Sequence, residues 1–168
     1  MIAPTRRGAR PTLFLALALG GVSLTACGNA VTTEIVGTVG ITVDAEDHPL
    51  VLVRVCEGRI DTIEVHGDRA GLAEDEANPI LGSWHAETGR DGLVELALGA
   101  ANDGWSGPDD LSLADGRTYV VTADDSGEDA EATQVSFTTA QLAALTPDQV
   151  IVGEGSTRPR SEFGACDR

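Results

Sequence analysis

Leu113-Ala114-Asp115-Gly116-Arg117-Thr118-Tyr119-Val120-Val121-Thr122 is the stretch on which the fold turns. Asp115-Gly116 marks a turn, and Thr118 to Ala123 then runs as a β-branched, alternating strand whose second residue is the only tyrosine of the chain. Working outward, short β-rich runs separated by Gly, Asp, Asn and Pro dominate the sequence. Thr118 to Ala123 and Thr133 to Thr138 flank an acidic turn, Asp124 to Glu131. Ile80 to Ala86 and Leu93 to Leu98 flank Glu87-Thr88-Gly89-Arg90-Asp91-Gly92, which reads as a hairpin turn. Val31 to Val43 alternates and meets a turn at Asp44 to Pro49. Leu50 to Cys56 is apolar on both parities apart from Arg54, as a central strand is, and Ile60 to Val65 continues with Ile63 and Val65 on one face. Strands at this spacing predict an all-β, antiparallel sandwich of about seven strands.

The stretch Leu113 to Thr122 resembles the E-F corner of fibronectin type III and immunoglobulin-like domains, in which a Leu, a turn Gly and a Tyr precede an alternating strand. The resemblance implies that the Tyr119 hydroxyl closes the corner on nearby backbone. It covers about ten residues strongly, and the other strands only by spacing. Trp84 is expected to fill the core role that a strand-C Trp has in that family. The cysteines do not follow the antibody B-F pairing, so the relation is architectural. After the seventh strand, from about residue 139, an extension is expected: a short helix within Thr138 to Leu145 with a Thr cap, stopped before Pro147, then a strand at Gln149 to Val152 and a loop from Gly153 to Pro159.

The N-terminus sets the expected address. Arg6, Arg7 and Arg10 precede an apolar run from Pro11 to Leu24, shorter than the roughly 20 residues of a membrane span. Leu24-Thr25-Ala26-Cys27 resembles the lipobox of bacterial lipoproteins. That resemblance implies a signal peptide at residues 1–26, a diacylglycerol on Cys27, a short tether over 27–30 and a mature domain from 31 to 168. Two acyl chains anchor lastingly where a single one binds only marginally. The Arg6-Arg7 pair lacks the apolar residues of a twin-arginine signal, so general secretion is the expected route. With Cys27 lipidated outside the cytoplasm, Cys56 and Cys166 are expected to form a disulfide. The chain is also similar to small lipoproteins of high-GC Gram-positive bacteria, through Val55-Cys56, the Gln141 to Val150 segment and the Phe163 to Cys166 tail.

Composition narrows the partners. The chain holds 11 basic and 27 acidic residues, a net charge of −16, and no lysine. Residues 1–26 carry three of the arginines and no acid, which leaves 8 against 27, or −19, in the mature part. Such a surface repels phosphate polyanions, and nucleic acid is not an expected partner.

Motifs for chemistry are missing at recognisable spacing. In Gly104-Trp105-Ser106-Gly107-Pro108, Pro108 stands where a nucleophile elbow needs its second Gly. Without lysine there is no Ser-x-x-Lys or Schiff-base mechanism, and no phosphate loop follows a strand. His48, His66 and His85 lack metal-ligand spacing, and the acidic loops Asp44 to Asp47 and Asp124 to Asp129 do not match a calcium loop. No catalytic residue, metal ligand or cofactor is therefore assigned. The weak candidate for ligand contact is the loop Ala101 to Asp110, where Trp105 offers a stacking platform with Asp103 and Asp109 beside it. Its plain alternative is Trp105 folded back as a cap on the sandwich. The function expected is a lipid-anchored extracytoplasmic interaction or accessory module. It would be joined to the membrane by its lipid and to an envelope protein or cell-wall partner by its domain. A solute-recognition or calcium-responsive lipoprotein is the alternative.

Overall fold

The computed structural model describes residues 33–166. The expected signal peptide, the expected lipid site Cys27 and the expected 27–30 tether lie outside the described residues. Seven strands form one sheet: β1 (Glu34–Val43), β2 (Pro49–Gly67), β3 (Ile80–Ala97), β4 (Thr118–Asp125), β5 (Ala130–Thr138), β6 (Gln149–Val152) and β7 (Ser156–Pro159). The helical pieces are α1 (Thr139–Ala143) and a 3-10 turn at Arg160–Glu162. The all-β expectation is met, but the strands are divided differently.

β2 and β3 are each long enough to serve two halves of the molecule. β2 pairs with β3 along one edge, while its other edge meets β1 from Pro49 to Val55 and β4 from Thr62 to Gly67. β1 does the same, lying parallel to β5 at Glu34 to Thr38 and antiparallel to β6 at Gly40 and Ile41. With β4 paired to β5, the order β1-β2-β4-β5 closes on itself as a four-strand ring. Alternation then sends one parity inward: Val39, Ile41, Val51, Val53, Ile63, Val65, Val121 and Val135 are all 0% exposed. Each such side chain contributes about 1.5–3 kcal/mol on burial. Trp84 joins this core, its indole Nε1 donating to Pro108 O at 3.1 Å, as expected of a buried Trp.

Several expectations are corrected here. Glu87 to Gly92 is not a hairpin turn: the segments before and after it both pair with β2 and belong to one strand, β3. β2 bends at the same level, where Gly58 adopts φ 61°, so the two strands cross together from one half to the other. Leu50 to Cys56 and Ile60 to Val65 are accordingly one strand. The pairing is not wholly antiparallel, because β1 and β5 run parallel. The turn after β4 is only Ser126 to Asp129. Gly153 to Pro159 is not all loop, since Ser156–Pro159 pairs with β6.

Other expectations hold. The Tyr119 hydroxyl accepts from Ala114 N at 2.7 Å and donates to Ala114 O at 3.2 Å. Thr138 caps α1, its Oγ1 accepting from Gln141 N at 3.1 Å while Thr138 N donates to Gln141 Oε1 at 2.8 Å, a reciprocal box. Cys56 and Cys166, 110 residues apart, are disulfide-bonded with 2.05 Å between sulfurs.

Candidate functional site: one covered face, one open face and a cleft

The outward faces of the two halves are treated in opposite ways. In the half holding β1, the start of β2 and β6, the outward residues include Thr38, Gly40, Thr42, Leu52 and Arg54. Leu52 is 1% exposed and Thr42 0%. β6 flanks Thr42, whose Oγ1 donates to Gln149 O, and the chain beyond β7 crosses the sheet at Gly40, the register partner of Leu52. Phe163 and Val150 lie so close to Gly40 that a Cβ there would come within 2.8 Å of Phe163 Cε2 and 2.7 Å of Val150 Cγ2. Arg160 Nη2 reaches Glu95 Oε1 on β3 at 2.6 Å, and Cys166 is bonded to Cys56 at the end of the covered stretch. The tail beyond β7 is thus a strap across one face, and Leu52 and Val150 are buried outside the main core.

The outward face of the other half carries no strap among the described residues. It presents Leu81, Ser83 and His85 from β3, Thr62, Glu64 and His66 from β2, and Val120, Thr122 and Asp124 from β4. All keep part of their surface exposed. Register sets polar side chains against each other. Glu64 Oε1 accepts from Ser83 Oγ at 3.1 Å, and His66 Nε2 stands 3.2 Å from Thr122 Oγ1 and 3.4 Å from Glu64 Oε2. Thr62 Oγ1 donates to Asp61 Oδ1 at 2.9 Å and lies 3.3 Å from His85 Nδ1. With the Thr62 hydroxyl donating to Asp61, its oxygen can only accept from His85 Nδ1.

Charge on this face is mostly negative. Burial raises the pKa of Asp124, and the charges of Glu64, Asp61, Glu131 and Asp125 raise it further. Burial also works against ionising Asp61, but the Ser126 N–H and hydroxyl and the Thr62 hydroxyl outweigh it and hold Asp61 below the ordinary carboxylate range. Such a face can accept hydrogen bonds and attract cationic groups while offering apolar contact at Leu81 and Val120.

Trp105 sits in a different place. It is half-buried against the core and also lines a cleft of about 370 Å³ with Glu87, Thr88, Arg90, Gly104 and Ser106. Both expected roles, cap and ligand contact, are therefore compatible with its position. Asp103 and Asp109 are exposed and do not line the cleft. Arg90, which the sequence reading did not single out, does. The loop is pinned by paired backbone bonds of 2.8 Å between His85 and Ser106.

The acidic loops spend their carboxylates locally. Asp44 accepts from His48 N at 2.8 Å and Glu46 N at 2.9 Å, and the His48 backbone bond is the main reason its pKa is lowered. Asp125 is paired with Arg59 at 2.9 Å and also takes Gly127 N. His48 belongs to the Asp44 turn, whereas His66 and His85 share the open face. Among the described residues no three His, Cys, Asp or Glu side chains are grouped to hold a metal ion. At the similarity required of a match, no protein-family model, no curated protein and no solved structure matches the chain.

Proposed function

We propose that the chain is a lipid-anchored interaction or accessory module on the outer face of a bacterial cytoplasmic membrane, and that it docks partners on its open sheet face. The observation that carries this reading is the contrast between the two faces. One is crossed by a disulfide-bonded strap, while the other keeps an array of polar and apolar side chains open to solvent. An immunoglobulin/fibronectin-III-like sandwich is part of the proposal. Its support is the Tyr119 corner on Ala114. Support for the address comes from Leu24-Thr25-Ala26-Cys27 and the arginines before it. The reading assigns the chain no catalytic step. Solute recognition is a second reading, favoured by the Trp105 cleft.

Labelling cells with a tagged palmitate while fractionating them tests the address. The full chain is expected in the membrane fraction carrying the label, and Cys27→Ser is expected to lose the label. An unlabelled wild-type chain would refute lipid anchoring.

A further inference from the structure

We infer that the cleft between the bend of β3 and the loop around Trp105 binds a neutral sugar residue. This rests on the reading of the chain as a binding module. A volume of about 370 Å³ falls in the range of small-ligand sites, and the lining suits a ring that is apolar on one face and hydroxylated at its edge.

Arg90 is the anchor. Its Nη2 donates to Gly104 O at 3.1 Å, and Gly104 has φ 74°, a left-handed conformation that favours glycine, with Arg90 Nη2 occupying the space a side chain there would take. Arg90 Nε is shut away from solvent with no acceptor. Arg90 forms no ion pair among the described residues, although the chain carries 27 acids. The guanidinium is held in place by backbone, with terminal N–H groups left for an acceptor from outside.

The rest of the wall decides the ligand's charge. Glu87 sets one negative charge against the one positive charge of Arg90, so the cleft has no net preference for an ion. An anion would also meet the net charge of −16 on the chain. Hydroxyl groups answer both signs, because each can donate to Glu87 and accept from Arg90, with Thr88 and Ser106 as further partners. Trp105, fixed by its packing on the core, supplies the apolar contact.

Titration of the full chain in mild detergent, by calorimetry and tryptophan fluorescence, tests this with N-acetylglucosamine and its linear tetramer. Trp84 is 1% exposed, so a sugar-dependent emission change is expected from Trp105 and is expected to vanish in Trp105→Phe. The tetramer binding at least about tenfold more tightly than the monomer identifies a glycan chain as the source. Equal affinities identify a free sugar, which upholds the cleft assignment. Arg90→Gln and Glu87→Gln are each expected to weaken binding about tenfold or more, and the exposed Glu87 site makes that variant the safer for folding. The inference is overturned by silence in both readouts at about 10 mM sugar. Unchanged affinity in both variants, or tighter binding of a uronate oligosaccharide, also overturns it. A chain that fails here yet docks a partner through its open face refutes the cleft alone and leaves the module standing.

Discussion

Replacing both bridging cysteines, Cys56→Ser with Cys166→Ser, separates the strap from the sheet it covers. The bridge spans 110 residues, and in the chain-entropy account a cross-link of that span stabilises by about 4–5 kcal/mol. The remaining ties are modest. Arg160 to Glu95 is a half-exposed ion pair worth at most about 1 kcal/mol, and Arg160 N donates to Asp148 O at 2.6 Å. For a domain of this size, about 4 °C of melting temperature accompanies each kcal/mol, so the full entropic term corresponds to about 16–20 °C. Strap peeling lowers that figure, because the rest of the sheet can persist with residues 160–166 detached. The expected outcome is a fall of about 10–15 °C by circular dichroism. Hydrogen-exchange mass spectrometry should show faster exchange across residues 160–166 and little change in β4 and β5. A fall below about 3 °C with unchanged exchange would refute the idea that the disulfide holds the strap.

Three other perturbations probe different parts of the fold. Tyr119→Phe keeps a ring that is 4% exposed but removes both bonds to Ala114; because exposed Ala114 can turn to water, a loss of about 1–2 kcal/mol is expected by urea denaturation. Gly40→Val drives a side chain into Val150 and Phe163, and should cost about 1–3 kcal/mol and speed exchange at residues 160–166 even with the disulfide intact. Asp124→Asn tests the open face's charge. A carboxyl whose folded pKa is raised contributes stability below its unfolded value, near 3.8, and loses it as pH climbs through the folded value. Ionised Asp124 therefore opposes folding at neutral pH, so the variant should melt higher than wild type at pH 7 and lose that advantage below about pH 3.5 in a calorimetric pH series.

The alternating runs were legible because their periodicity is the burial pattern itself: Val51, Val53 and Val55 face the core, and the double apolar character of the same run reflects Leu52 beneath the strap. Tyr119 and the cysteine pair were legible for similar reasons, each being a residue type with one dominant structural use in this setting. The bends of β2 and β3 were misread because Gly and Asp near Glu87 to Gly92 carry the same local signal for a strand that changes halves as for one that reverses. Only the pairing of both segments with β2 distinguishes them. β7 escaped notice because Ser156 to Pro159 is exposed throughout and has no apolar parity. The open face could not be read at all, since His66, His85 and Asp124 are set on one face by cross-strand register. Arg90 likewise gains its meaning from Gly104, fourteen residues away.

Photo-crosslinking in intact cells tests the docking claim most directly. A photoreactive residue placed at Ser83 or Thr122 on the open face is expected to yield the same covalent adduct from both positions. The same residue at Ser161, on the strap, is expected to yield none. No adduct from the open face, or equal yield from the strap, would contradict the assignment of that face as the one through which the module works.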